Sequence, residues 1–123
     1  MITLPFTTHK LQVVLAGAKT TNEVQCSVYY YDVRRDSKQS LTEYARFPKY
    51  IDTAGVTDVD ICDAPPQDVT RHIETINIYN KDTVNAVVTV KIDISGTETI
   101  LKKHTLTTTQ SLVYERGQGW QVL

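Results

Sequence analysis

The sequence predicts an all-β fold: an antiparallel β-sandwich or small jelly roll with an extended N-terminal arm. Three observations carry this expectation. From Ile73 to Leu123, short runs alternate apolar and polar side chains with the period of a strand. Turn residues break those runs at Asn80-Lys81-Asp82, Ser95-Gly96 and Arg116-Gly117-Gln118-Gly119. The resulting spacing of short strands is that of hairpins whose dry faces must pack together to make a core.

The elements follow in order. Residues 1–9, with Pro5 and the threonines Thr3, Thr7 and Thr8, read as an extended arm. Residues 10–123 read as a single sandwich domain. Lys10 to Leu15 is a strand closed by Ala16-Gly17-Ala18. Glu23 to Asp32 is the next, with Val24, Cys26, Val28 and Tyr30 opposite Gln25, Ser27, Tyr29 and Tyr31. Leu41 to Phe47 reads as either one helical turn or a strand, limited by Pro48. Residues 56–62 form a strand with Val59 and Ile61 inward, and Ala64-Pro65-Pro66-Gln67 is a loop. Arg71 to Tyr79 is a strand with Ile76 and Ile78 inward. Ile73 falls out of that phase, which calls for a bulge or bend near Glu74. Val87 to Ile94 sets Val88, Val90, Ile92 and Ile94 against Thr89, Lys91 and Asp93. Ser95-Gly96 turns it into Thr97 to His104. Ser111 to Glu115 and the short run around Trp120 and Val122 complete the chain.

The bulk numbers bound the function. At 123 residues the chain is one ordinary domain, large enough to bury roughly two-thirds of its unfolded surface. A net charge of −1, with no Lys/Arg run longer than a pair, argues against a general nucleic-acid binder. No apolar run approaches the about 20 residues that span a bilayer. The N-terminus lacks the charged and apolar regions of a signal peptide, so synthesis in a cytoplasm is expected. The two cysteines, Cys26 and Cys62, sit in apolar-alternating segments and read as buried free thiols, with a bridge between them as the alternative.

Catalytic signals are missing. His9, His72 and His104 have no metal-ligand spacing. Asp58, Asp60, Asp63 and Asp68 lack the glycine and terminal Glu of a calcium loop and read as the wet face of a strand. No nucleophile elbow or phosphate-cradling glycine loop occurs. No catalytic residue, metal ligand or cofactor is therefore assigned.

Tyrosine is the over-used residue, with seven copies. Tyr29 and Tyr31 share one face of their strand and Tyr30 takes the other. If Tyr30 is core, Tyr29 and Tyr31 lie outside as interface anchors, as platforms for sugars, or as a cross-strand pair within one sheet. Phe6, Tyr29, Tyr31, Tyr44, Phe47 and Tyr50 are the candidate contact residues.

Several segments resemble small virion proteins of tailed bacteriophages. They are Ala64-Pro65-Pro66, Thr70-Arg71-His72-Ile73, and Ile76 through Val90 with its Asn80-Lys81-Asp82-Thr83 turn. The ending is similar too: Ile100-Leu101-Lys102, Ser111-Leu112-Val113-Tyr114-Glu115 and Gly117-Gln118-Gly119-Trp120-Gln121-Val122. So are Lys10 to Leu15 and Thr20-Thr21-Asn22 near the start. The chain departs from that pattern at Thr107-Thr108-Thr109-Gln110 and in the charged stretch from Lys38 to Lys49. The resemblance implies a non-enzymatic structural part of a phage head or tail, such as a decoration, cement or fibre-adaptor protein. It implies localisation in the virion after synthesis in the bacterial host cytoplasm. The partners it implies are copies of the chain itself and the major capsid or tail protein, with no nucleic acid and no membrane. A glycan-binding host-attachment module is the alternative, with the tyrosines as its platform.

Overall fold

The computed structural model describes residues 1–34 and 47–123, the side chain of Phe47 excepted. Among the described residues there is no helix, and ten strands form: β1 Thr3–Leu4, β2 His9–Leu15, β3 Gln25–Arg34, β4 Phe47–Asp52, β5 Val59–Cys62, β6 Val69–Tyr79, β7 Ala86–Ile94, β8 Thr97–Leu106, β9 Ser111–Glu115 and β10 Gly119–Val122. Sheet A runs β10-β9-β6-β3-β4, with β1 also paired to β6, and sheet B runs β5-β2-β7-β8. Every pairing is antiparallel. The two sheets pack face to face, which is the expected antiparallel β-sandwich. The Leu41–Phe47 reading lies largely outside the described residues; Phe47 and Pro48 open edge strand β4, where a residue without an N–H is tolerated.

The period-2 pattern builds the core. Leu11, Val13 and Leu15 of β2 and Val88 and Val90 of β7 face Cys26 and Val28 of β3, Ile73, Ile76 and Ile78 of β6, and Leu112 and Tyr114 of β9. Ile73 and Ile76 both point inward because the β3–β6 register slips: Tyr29 pairs with Thr75 and Tyr30 with Ile73, leaving Glu74 as the extra residue. This is the bulge that the phase change called for. The β7–β8 hairpin closes through Ser95 at φ 51° and Gly96 at φ 94°. Two successive positive φ values match the right-handed twist of the strands they join.

The N-terminal segment is extended, as expected, and it lies along sheet A of its own chain. Thr3 and Leu4 pair with His72 and Arg71, Ile73 donates its N–H to the Ile2 carbonyl, and Leu4 is 0% exposed. The physical reason is the apolar pair Ile2 and Leu4, which gains more from the inter-sheet core than from solvent. β2 also begins at His9, inside the span read as arm.

The chain passes between the sheets six times, at β1–β2, β2–β3, β4–β5, β5–β6, β6–β7 and β8–β9. Four of those passages, β2–β3, β4–β5, β6–β7 and β8–β9, meet at one end, where Asn80 and Asp82 bind three of them and Glu23 ties in the β4–β5 passage. The Asp82 carboxylate accepts the main-chain N–H groups of Thr20, Thr21 and Asn22 at 2.8–3.0 Å, and that of Thr83 at 2.8 Å. Asn80 Nδ2 donates to the carbonyls of Val84 and Leu106, and its main chain bonds Gln110 and Thr109. In the β4–β5 passage, Glu23 Oε1 accepts from the Thr53 hydroxyl and the Gly55 N–H. At the opposite end a buried ion pair closes the core. Arg71 holds Asp32 through Nε at 2.9 Å and Nη2 at 3.1 Å, donates Nη1 to the Asp63 carbonyl, and lies over the Tyr30 ring.

Cys26 and Cys62 are buried free thiols, as expected. Burial pushes each up to about 12, so both stay protonated. The long edge strand β8 carries a bulge at Leu101 followed by Lys102 and Lys103, devices that discourage pairing with another chain.

Two outcomes test this account. Leu4→Ala lowers unfolding stability by about 2–5 kcal/mol in denaturant titration, whereas Phe6→Ala at the exposed turn shifts it by about 0.5 kcal/mol or less. The main-chain N–H groups around Asp82, that of Thr20 foremost, hold its carboxyl well below the usual carboxylate range. A depressed folded value means that the unfolded chain binds the proton more readily. Its stabilisation is therefore complete above about pH 4 and is lost as pH falls through the folded value. Asp82→Asn lowers stability at pH 7 and flattens the acid limb of the stability–pH curve.

Candidate functional site: the outer face of sheet A

Each sheet has a wet outer face, and the two differ in chemistry. Strand register reads each face row by row. On sheet A, one row runs Gln121, Val113, Asn77, Ser27, Tyr50 from β10 to β4. The row on one side runs Ser111, Tyr79, Gln25, Asp52, and that on the other runs Gly119, Glu115, Thr75, Tyr29, Pro48. The charged positions in these rows are Glu115 and Asp52, the latter paired with Lys81 at 3.1 Å. The other side chains are hydroxyl, amide, aromatic and, at Val113 and Pro48, aliphatic.

Sheet B presents the opposite. Lys91, 6% exposed, sits between Asp58 and Glu98 at 2.8 Å each. Lys10 lies 3.6 Å from Asp60, whose carboxylate also accepts from Gln12 Nε2 at 2.7 Å. The acidic series of the sequence thus serves a lattice of ion pairs: Asp63 pairs with Lys49 at 3.1 Å, and only Asp68 stands apart in a positive-φ turn. Among the described residues, no three His, Cys, Asp or Glu side chains come together to hold a metal.

The sequence-derived contact residues separate into groups. Tyr29 and Tyr50 come together on the sheet A face at 40% and 66% exposure, rings perpendicular at 6.2 Å and hydroxyls 2.7 Å apart. That shared hydrogen bond is the main cause of the raised Tyr50 pKa. Ile51 and Asp52 with Gln25 and Tyr50 line a shallow groove of about 360 Å³ at this edge. Phe6 is exposed, but it lies at a turn against the His9 ring, away from this pair. Tyr44 and the Phe47 side chain lie outside the described residues.

Tyr31 is a correction. It faces the same way as Tyr29 yet is only 8% exposed. The His72 ring stacks on it at 4.9 Å, and Arg116 covers it, its guanidinium 5.1 Å from the ring centre and donating to the tyrosine hydroxyl. Burial, then the Arg116 charge, holds His72 below its ordinary pKa, and its Nδ1 is buried without a partner. Tyr31 is therefore the floor of a stacked layer beside the open field. Arg116 and His72 were not singled out by pattern, because their role depends on which strands are neighbours. Asn77, Ser27, Thr75 and Gln121 were missed for a similar reason: uncharged polar residues carry no motif, and only the register gathers them.

No protein-family model, curated protein or solved structure matches this chain.

The separation of Tyr31 from Tyr50 has a measurable consequence. Tyr31→Ala uncovers His72 and Arg116 and costs about 3 kcal/mol of stability, whereas Tyr50→Ala changes it by about 0.5 kcal/mol or less. Equal losses in thermal unfolding would contradict the assignment.

Proposed function

We propose that the protein is a non-enzymatic structural component of a bacteriophage particle, present in multiple copies, and that the outer face of sheet A is its recognition surface. The contrast between the two outer faces supports the second part. Recognition surfaces are depleted of charge at their centre and enriched in tyrosine, and sheet A has that composition. Sheet B spends its charges on one another, as a solvated face does. The first part rests on the resemblance of the β6–β7 and β9–β10 segments to small virion proteins of tailed phages. In this reading copies of the chain and the major capsid or tail protein anchor it in the particle, and the sheet A face is left open for recognition.

Several devices fit a part that must persist in a particle. The six passages between sheets, the protected edge β8 and the inert thiols all favour a rigid unit that does not pair strands indiscriminately.

Quantitative mass spectrometry of purified particles tests the proposal. The expected result is a fixed copy number per particle in a multiple set by closed symmetry: about six to a few dozen for a neck, tail or fibre position, or on the order of hundreds for a shell position. Absence from washed particles, or saturable turnover of a substrate by the purified chain, overturns it.

A further inference from the structure

We infer that the outer face of sheet A binds an uncharged oligosaccharide laid across the strands. This rests on the reading of that face as the recognition surface and adds what the surface takes.

Size comes first. The central row is uncharged across five strands, so the field is about 19 Å wide at a spacing of about 4.8 Å between strands. Its three rows are two residues apart, which gives a height of about 14 Å at roughly 3.4 Å per residue. The footprint is on the order of 270 Å², well short of the roughly 800 Å² per partner that a standard protein–protein interface buries. A second folded protein would have to extend far over the charged rim. A slender chain of sugar rings fits the field as it stands.

Chemistry comes second. A pyranose has an apolar face of C–H groups and a rim of hydroxyls, each both donor and acceptor. An exposed aromatic side chain meets the first; amides and hydroxyls, which also donate and accept, meet the second. Tyr50 supplies the aromatic surface, and its hydroxyl is anchored on Tyr29, so ligand ordering costs little side-chain entropy. Gln25 beside it and Asn77 and Ser27 along the central row supply the two-way groups. The groove formed by Gln25, Tyr50, Ile51 and Asp52 gives one ring a shallow seat at the β4 edge. Glu115 lies within the rows and the one cation beside Asp52, Lys81, is paired with it at 3.1 Å, so the face offers an anionic sugar no free cation among the described residues of its rows.

The test uses the full chain in solution with maltohexaose, cellohexaose and chitohexaose as neutral probes and a heparin hexasaccharide as the anionic one. Calorimetry and amide-shift mapping give affinity and location. The expected result is saturable binding of at least one neutral probe, with shifts on β3, β4 and β6, and no comparable binding of the heparin fragment. Tyr50→Ala and Asn77→Ala each weaken it at least tenfold, while Thr105→Ala on sheet B leaves it unchanged; thermal unfolding confirms that all three variants fold. No binding of any neutral probe overturns the inference, as does binding that survives Tyr50→Ala. Loss of particle occupancy in Tyr50→Ala without any sugar binding also overturns it and assigns the face to a protein neighbour. The copy number of the unsubstituted chain per particle is independent of all these outcomes, so this inference can fail while the structural role stands.

Discussion

One carboxylate and one amide hold the passages of this sandwich together. A two-sheet fold is stable only if its layers cannot slide or part, and here the chain itself is the tether. Asp82 fixes the β2–β3 passage onto the β6–β7 passage by taking three main-chain N–H groups from one and one from the other. These passages lead into β2 and β7, the middle of sheet B, and β3 and β6, at the heart of sheet A. Asn80 adds the β8–β9 passage through the Leu106 carbonyl and the main chains of Thr109 and Gln110. Main-chain groups from three passages are satisfied by two side chains in one turn. The Arg71–Asp32 pair does related work at the other pole, on the β5–β6 passage.

With the layers locked, the outer faces are free to differ. Sheet B covers itself with paired charges, among them a lysine whose ammonium is held between two carboxylates. Sheet A has an uncharged central row and places Tyr29 and Tyr50 on the open side. This asymmetry gives the molecule a front and a back, and both functional readings depend on it. The Tyr31–His72–Arg116 layer bounds the front and shows that an outward-facing tyrosine is not thereby an available one: neighbours on adjacent strands decide.

The fold was legible from the sequence because it follows local rules. Period-2 runs, the Ser95-Gly96 turn and the phase slip at Ile73 needed no knowledge of partners, and each appears in the structure. The site was legible only in part. Tyr29 emerged from strand parity alone, and Tyr50 from its type. Tyr31 had the same parity, but a sequence does not show that His72 and Arg116 lie over it. The N-terminal arm was legible as extended chain from Pro5 and the threonines, while Leu4's place in the core is a long-range fact. Asn80-Lys81-Asp82 reads as ordinary turn punctuation, and its role at the pole becomes visible only when loops about 60 residues apart in sequence are seen side by side.

The two sealed sulfur atoms set the chemistry the molecule can undergo. A thiol that keeps its proton near neutrality is a poor nucleophile toward disulfides and peroxides, and one inside a packed core is also out of reach. Oxidising conditions therefore leave these two thiols as they are, with no cross-link through them between neighbours. Durability in this molecule comes from packing and main-chain tethers, with sulfur chemistry kept out of it.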